Sequence, residues 1–298
     1  MSFSLSLEEL NHLYERLLPE ERDDLLQGLL IAAPRGGEAV VKVLEDTLLC
    51  HATEELLEAN TTSLVAGADG CPAGWFVVMR DLKTGETAHH TVAGFTGLLD
   101  LCAWTKVLAV DIPVGLLETV SEGGRPVDRL ARKRLQPHRA SSVFPAPCRP
   151  ATLCATYQEA VDATRAHSAG RRSLSRQAFG LFPKLREVDA LMTPELQDRV
   201  REVHPELCFA ALNDGHALPE YKKTPEGHAT RIRLLQAAGF DISEAGIEKL
   251  AKQGVGKDDV LDAYAACWTA ARIARGEAEC LGDALATDGH GLLMQMWF

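Results

Sequence analysis

The run VLAVDIPVG, residues 107–115, constrains the fold more than any other stretch of the chain. It is almost continuously apolar, with Asp111 its one charged residue. A strand with one face in water alternates apolar and polar side chains. A continuous run marks a strand covered on both faces, as in a parallel arrangement between helices. Three strands precede it. LVAGAD (64–69) and WFVVMRD (75–81) flank a turn at 70–74, and ETAHHTVA (86–93) follows a turn at 83–85, an antiparallel meander. A helix is expected over 95–104. EVHPELCFAAL (202–212) reads as a fifth strand running into a helix or turn, and helices are expected over 226–238, 244–253 and 258–275. The expected fold is α/β: a mixed five-stranded sheet flanked by helices, with a helical, loop-rich insertion over about 119–195.

Before Ser63 the texture differs. Ser6-Leu-Glu-Glu9 is a capping-box pattern, Pro19 suits the first turn of a second helix, and ERDDLLQGLLIAA has helical spacing. Residues 1–62 therefore read as an all-helical N-terminal extension, and residues 63–298 as the α/β domain. The extension carries no catalytic pattern and reads as a surface for a protein partner or self-association.

No apolar run approaches the roughly 20 residues of a membrane span, and the acidic N-terminus is unlike a signal peptide. The eight cysteines are scattered without a C-x-x-C pair, which argues against a zinc knuckle or a disulfide framework. A reduced, cytoplasmic protein is expected, with most cysteines serving as small apolar residues. The net charge of −11 argues against indiscriminate nucleic-acid binding. It hides an asymmetry: residues 125–186 hold 13 Lys+Arg against 3 Asp+Glu, whereas residues 1–62 hold 4 against 13. The basic block points either to a localised anionic ligand or to a solvated face.

Acids recur where strands end and where the last helix begins. Asp69 closes the first strand, Asp111 sits in the fourth, and Asp258, Asp259 and Asp262 open the last helix. Parallel neighbours lie about 4.8 Å apart, so Asp69 and Asp111 would emerge at one sheet edge, where α/β proteins commonly bind ligands. Capping accounts for an Asp at a helix start, and a turn or strand end accounts for a lone Asp elsewhere. Acids from three elements converging on one place would repel each other unless a cation compensates. Mg²⁺ or Mn²⁺ is the natural choice, since hard ions take oxygen ligands. Two such ions can activate a water and stabilise the leaving oxygen of a phosphodiester.

This arrangement resembles the RNase H-like superfamily, and Asp259-Val-Leu-Asp262-Ala-Tyr-Ala looks like the closing D-x-x-D-A-x-A element of RuvC-type Holliday-junction resolvases. More closely, GADGCPAGW (67–75), VDIPVGL (110–116), RASSVFPAP (139–147), EVHPELCF (202–209), KKTPEG (222–227) and DDVLDAYA (258–265) resemble, in order, a family of predicted RNase H-like nucleases of unknown function, domain-of-unknown-function family 429. The resemblance spans about 65 to 275. It implies an RNase H-like fold, a metal-dependent nuclease, and metal binding by Asp69, Asp111, Asp259 and Asp262. Resolvases usually carry Glu where Asp111 stands. On this reading Asp258 is the N-cap, and Asp259 and Asp262 are the functional pair.

In EVHPELCF a strand would place Glu202, His204, Glu206 and Cys208 on one face. Glu202 or Glu206 would then supplement the metal site, and His204 would move a proton or contact phosphate. A solvent-facing sheet edge is the alternative. Arg139, Ser141 and Ser142 suit phosphate oxygens; Arg129, Arg132, Lys133 and Arg134 could line the approach, and Lys222 and Lys223 could touch the same ligand. Few exposed aromatics accompany these residues, so no base-stacking groove is evident. The leading expectation is a Mg²⁺/Mn²⁺-dependent nuclease or phosphodiesterase acting on DNA or RNA. The alternatives are an actin- or sugar-kinase-like ATP-binding phosphotransferase, for which Asp69-Gly70 would be a phosphate loop, and a non-catalytic binding protein.

Overall fold

The strands β1 (Leu64–Cys71), β2 (Gly74–Asp81), β3 (Thr87–Val92), β4 (Val107–Val110) and β5 (Val200–Glu202) form one sheet in the order β3-β2-β1-β4-β5. This is a computed structural model, and it describes residues 63–298 apart from 122, 169–173 and 252–253. The helices expected over 6–59 lie outside the described residues. β1, β2 and β3 pair antiparallel, whereas β1–β4 and β4–β5 are parallel. The mixed, helix-flanked sheet is the one expected.

The helices follow in chain order. α1 (Phe95–Leu101) joins β3 to β4. Between β4 and β5 lie α2 (Pro126–Arg134), a 3₁₀ turn at Ala140–Ser142, α3 (Arg149–Thr152), α4 (Tyr157–Ala166), α5 (Arg176–Gly180), α6 (Phe182–Leu191) and α7 (Pro194–Gln197). After β5 come α8 (Pro205–Leu212), α9 (Pro225–Ala237), α10 (Glu244–Ala251) and α11 (Lys257–Arg275), then a ribbon of β6 (Cys280–Leu281) and β7 (Met296–Trp297).

The pleat divides the core. Val65, Cys71, Phe76, Val78, Val107 and Ala109 face α11, whereas Ala66, Ala68, Trp75, Val77, Leu108 and Val110 face the helices of the insertion. α11 lies directly on β1, because Gly67 removes the side chain that would part them. A Cβ there would sit 1.9 Å from Cys267 N and 2.5 Å from the Ala263 carbonyl oxygen. Glycine inside a strand marks such a close backbone approach. Ala263, Ala266 and Ala270 supply the matching narrow face of the helix.

Two boundaries differ from expectation. β4 stops at Val110 rather than at 115. Pro113 has no N–H to donate to a ladder, and the next amide, Val114 N, donates to the Glu202 carboxylate at 2.7 Å. β5 comprises only Val200–Glu202, and residues 205–212 are helical. Pro205 occupies the first turn, where its fixed φ favours helix, and His204 caps α8 by accepting the Glu206 N–H. The alternation expected for Glu202, His204, Glu206 and Cys208 therefore does not exist.

Among the described residues, no helix is long and apolar enough to cross a membrane. The seven described cysteines are free, and five are buried, consistent with service as small apolar side chains.

Candidate metal centre

Parallel register brings two acids level with each other. Ala68 pairs with Val110, so Asp69 and Asp111 are the next residue on each strand, and Asp111 N donates to the Ala68 carbonyl at 3.0 Å. Asp69 shares the face of Val65 and Gly67, against which α11 is pressed, and the first turns of α11 deliver Asp262. One carboxylate oxygen from each of Asp69, Asp111 and Asp262 lies within 4.8 Å of the others. Asp69 and Asp262 are buried and Asp111 is half-buried.

Burial raises the Asp69 carboxyl well above its ordinary value, and the charges of Asp111 and Asp262 raise it further. Asp111 is raised in the same way, by burial and then by Asp262. Lys222 offsets part of this repulsion, with its Nζ 2.6 Å from Asp262 Oδ2. The Lys222 ammonium is held protonated by Asp262, Asp111 and Asp69 against the cost of its burial. One ammonium cannot balance three carboxylates once they ionise, and the donors are all hard oxygens. The cluster could hold a divalent cation.

Asp259 stands beside the cluster and lines the same cavity. Its Oδ2 accepts the Gly256 N–H at 3.1 Å. Gly256, and not Asp258, is the N-cap. The helix starts one residue earlier than expected, which puts Asp259 at the third helical position, where an acid reaches back to the N-cap amide.

Glu202 does not join the metal cluster. It pairs with Val110, so the pleat turns it to the face opposite Asp69 and Asp111. There Arg125 Nη2 meets Glu202 Oε1 at 2.6 Å and Asp128 Oδ1 at 2.8 Å, with all three side chains almost wholly buried. Glu206 is likewise spent, in a two-pronged buried pair with Arg231 at 2.7 and 2.8 Å. His204 is half-buried, and burial pushes its imidazole down to about 4. Nδ1 accepts from Glu206 N and Nε2 lies 3.4 Å from the Ser142 carbonyl oxygen, so one neutral tautomer serves both bonds.

Most of the described arginines of the basic block are held within the fold, whereas Lys133 is exposed. Arg129 donates to Ser121 and the Gly124 carbonyl, and Arg132 to the carbonyls of Gly123 and Val143. Arg134 holds the Gly215 carbonyl, and Arg149 pairs with Glu118, Asp189 and Asp288. Arg139, a candidate phosphate ligand, is buried and donates to the carbonyls of Leu218 and Pro219. Ser141 and Ser142 do line the cavity with Lys222, whereas Lys223 is exposed and does not.

The cavity beyond the acids measures about 520 Å³. Sequence reasoning missed several of its walls. Lys184 reaches in from α6, with its Nζ 2.5 Å from the Gly74 carbonyl oxygen and 5.0 Å from the centre of the Trp75 ring. Met296 contributes from the terminal ribbon, and Phe144 and Tyr221 from loops. Phe144 and Tyr221 are 48% and 51% exposed, and they are among the few exposed aromatic side chains of the described residues. Phe144 lies within the motif RASSVFPAP, where Phe between Val and Pro reads as core; only the turn of the loop shows it facing outward.

A mixed α/β domain with buried acids at the carboxyl ends of two parallel strands is the class that this fold and site define. The chain belongs to the family described as Protein of unknown function (DUF429), whose pattern matches residues 67–287. That span includes Asp69, Asp111 and Asp262. No curated protein and no solved structure matches the chain.

Proposed function

We propose that this protein is a divalent-metal-dependent phosphodiesterase of nuclease type, built on an RNase H-like domain. One observation carries the reading: three carboxylates from three elements present oxygens within 4.8 Å of one another, with burial and mutual repulsion raising Asp69 and Asp111. Folding stability alone gains nothing from such crowding, since each acid raises the cost of ionising the others. The strand order, with one antiparallel meander and two parallel steps, supports the RNase H-like assignment.

Asp69, Asp111 and Asp262 would hold the ion, and Mg²⁺ or Mn²⁺ when bound would supply a nucleophile at neutral pH and stabilise charge on the leaving oxygen. Asp259 fixes the start of α11 and so the position of Asp262. Lys222 orients Asp262 and keeps two further N–H donors that can meet a phosphate oxygen. His204 is neutral and fully bonded near pH 7, so it holds the 142–144 loop in place rather than carrying a proton.

Titration calorimetry with Mn²⁺ and hydrolysis of bis-para-nitrophenyl phosphate test the proposal. Wild type should bind the ion and cleave the ester, and Asp69→Asn and Asp262→Asn should lose both. Equal ion binding and equal turnover in those variants would sink it.

A further inference from the structure

The walls of the cavity bear on the size and kind of the substrate. Among the described residues, three cationic side chains line it: Arg125, Lys184 and Lys222. Each already holds a protein acceptor. Arg125 spends its guanidinium on Asp128, Glu202 and the carbonyls of Val114 and Gly115. Lys184 is tied to Gly74, and Lys222 to Asp262. Proteins that track a nucleic-acid backbone neutralise several phosphates with Lys and Arg, and among the described residues no such track leads from this site. Of the described arginines of the insertion, Arg129, Arg132, Arg134, Arg139, Arg149 and Arg186 are tied to carbonyls or acids, and the chain carries a net charge of −11.

Flat apolar surface is what the mouth offers instead. Phe144 and Tyr221 leave about half their surface open to solvent at the cavity, and Leu181 joins them at 38%. Exposed apolar side chains gathered at one cavity and rimmed by polar residues are the pattern of a ligand-binding groove, unlike rings scattered singly over a surface. Tyr221 is braced from behind, with the Arg139 guanidinium carbon 5.7 Å from its ring centre. Arg139 is itself locked to two backbone carbonyls, so the ring is held ready at little entropic cost. A base–aromatic stack needs only an unpaired π-face, and a paired base inside a duplex does not offer one.

We infer that the cavity binds a small nucleotidyl phosphodiester, about two nucleotides long, with an unpaired base against Phe144 or Tyr221 and its phosphodiester at the three acids. The volume of about 520 Å³ lies in the range of small-molecule sites and far below the footprint of a duplex. This substrate class rests on the proposed metal-dependent phosphodiesterase reading and narrows it.

The experiment is equilibrium binding of a 2-aminopurine-containing dinucleotide, read by fluorescence, with Ca²⁺ replacing Mg²⁺ to suppress turnover. The same label in a short single strand and in a blunt duplex provides two comparison arms. The dinucleotide should bind, the single strand no more than about tenfold tighter, and the duplex not at all. Phe144→Ala and Tyr221→Ala should each weaken dinucleotide binding by about fivefold to a hundredfold, with Tyr221→Phe retaining it. Both alanine variants should bind Mn²⁺ as wild type does. No dinucleotide binding, equal binding of duplex, a strand bound far more tightly with a steep salt dependence, or unchanged binding in both alanine variants would each overturn the inference. Calorimetry with Mn²⁺ on wild type and Asp262→Asn separates the two readings: no ion binding by wild type, or equal binding by Asp262→Asn, undermines the parent proposal, whereas an intact ion site in wild type without dinucleotide binding undermines this one alone.

Discussion

Lys222 Nζ sits 2.6 Å from Asp262 Oδ2, so the acid cluster has a cation of its own attached to one of its three carboxylates. The pair splits two tasks that a single variant can separate. Lys222→Met removes a charge-assisted hydrogen bond and should destabilise the metal-free protein by about 1.5–3 kcal/mol in urea denaturation. It should also strengthen Mn²⁺ binding, because a unit charge about 4 Å away at an effective dielectric near 20 repels a dication by several kcal/mol. Ester hydrolysis should fall all the same, since a phosphate-facing donor is gone. Weaker Mn²⁺ binding in this variant would mean that Lys222 shapes the site more than it competes for it.

Crowded acids make the metal-free protein sensitive to pH. Asp69 and Asp111 have carboxyls raised above the ordinary 3.8, chiefly by burial. A raised group holds its proton more firmly in the folded chain. Its stabilising contribution is complete below the ordinary value and is lost as pH rises through the raised one. His204 acts in the opposite sense: lowered from 6.5 to about 4, it contributes above 6.5 and loses that contribution as pH falls toward 4. Comparing Asp69→Asn with wild type in EDTA cancels the histidine. The variant should melt higher at about pH 8, with the gap closing toward about pH 4. Stabilisation of wild type by Mn²⁺ should shrink over the same descent, as protons displace the ion. A gap independent of pH would show that Asp69 is not raised.

Much of this was legible in the chain. VLAVDIPVG marks an inner parallel strand because both of its faces are covered. Three acidic motifs converge because strand ends and helix starts share one edge. Glu202 misled for a physical reason. Alternation fixes a face only while the strand lasts, and β5 ends at Glu202 itself, with Pro205 restarting the chain as helix. The basic block was ambiguous for a different reason. An arginine's sequence does not reveal which distant carbonyl it will hold, as the Arg139 and Arg134 bonds demonstrate. The terminal ribbon was invisible, since strands of two residues have no period.

Removing Glu202 should expose its true task. Glu202→Gln takes one charge from the buried Arg125–Asp128–Glu202 group, and breaking a buried ion pair costs about 3–5 kcal/mol. Asp128 still pairs with Arg125, so the lower end is expected in urea denaturation. The variant should bind Mn²⁺ with the wild-type stoichiometry, in contrast to Asp262→Asn. Loss of an ion together with unchanged stability would restore Glu202 to the metal site.

Gly67 supplies the sharpest test of how the fold makes the site. It has ordinary strand geometry, so its requirement is space and not φ. A methyl group there would meet the backbone of α11 at Cys267 and Ala263, neither of which can turn aside as a flexible side chain would. Relief requires α11 to lift from β1, which costs about 3 kcal/mol or more by the measure of overpacked cores and carries Asp262 away from Asp69 and Asp111. Gly67→Ala should therefore lose stability in urea and lose Mn²⁺ affinity together, although no acid has been touched. Gly180→Ala is the control, since a Cβ there meets nothing within 4 Å. If Gly67→Ala folds with wild-type stability and binds Mn²⁺ unchanged, the close seat of helix on strand is not what assembles the acids.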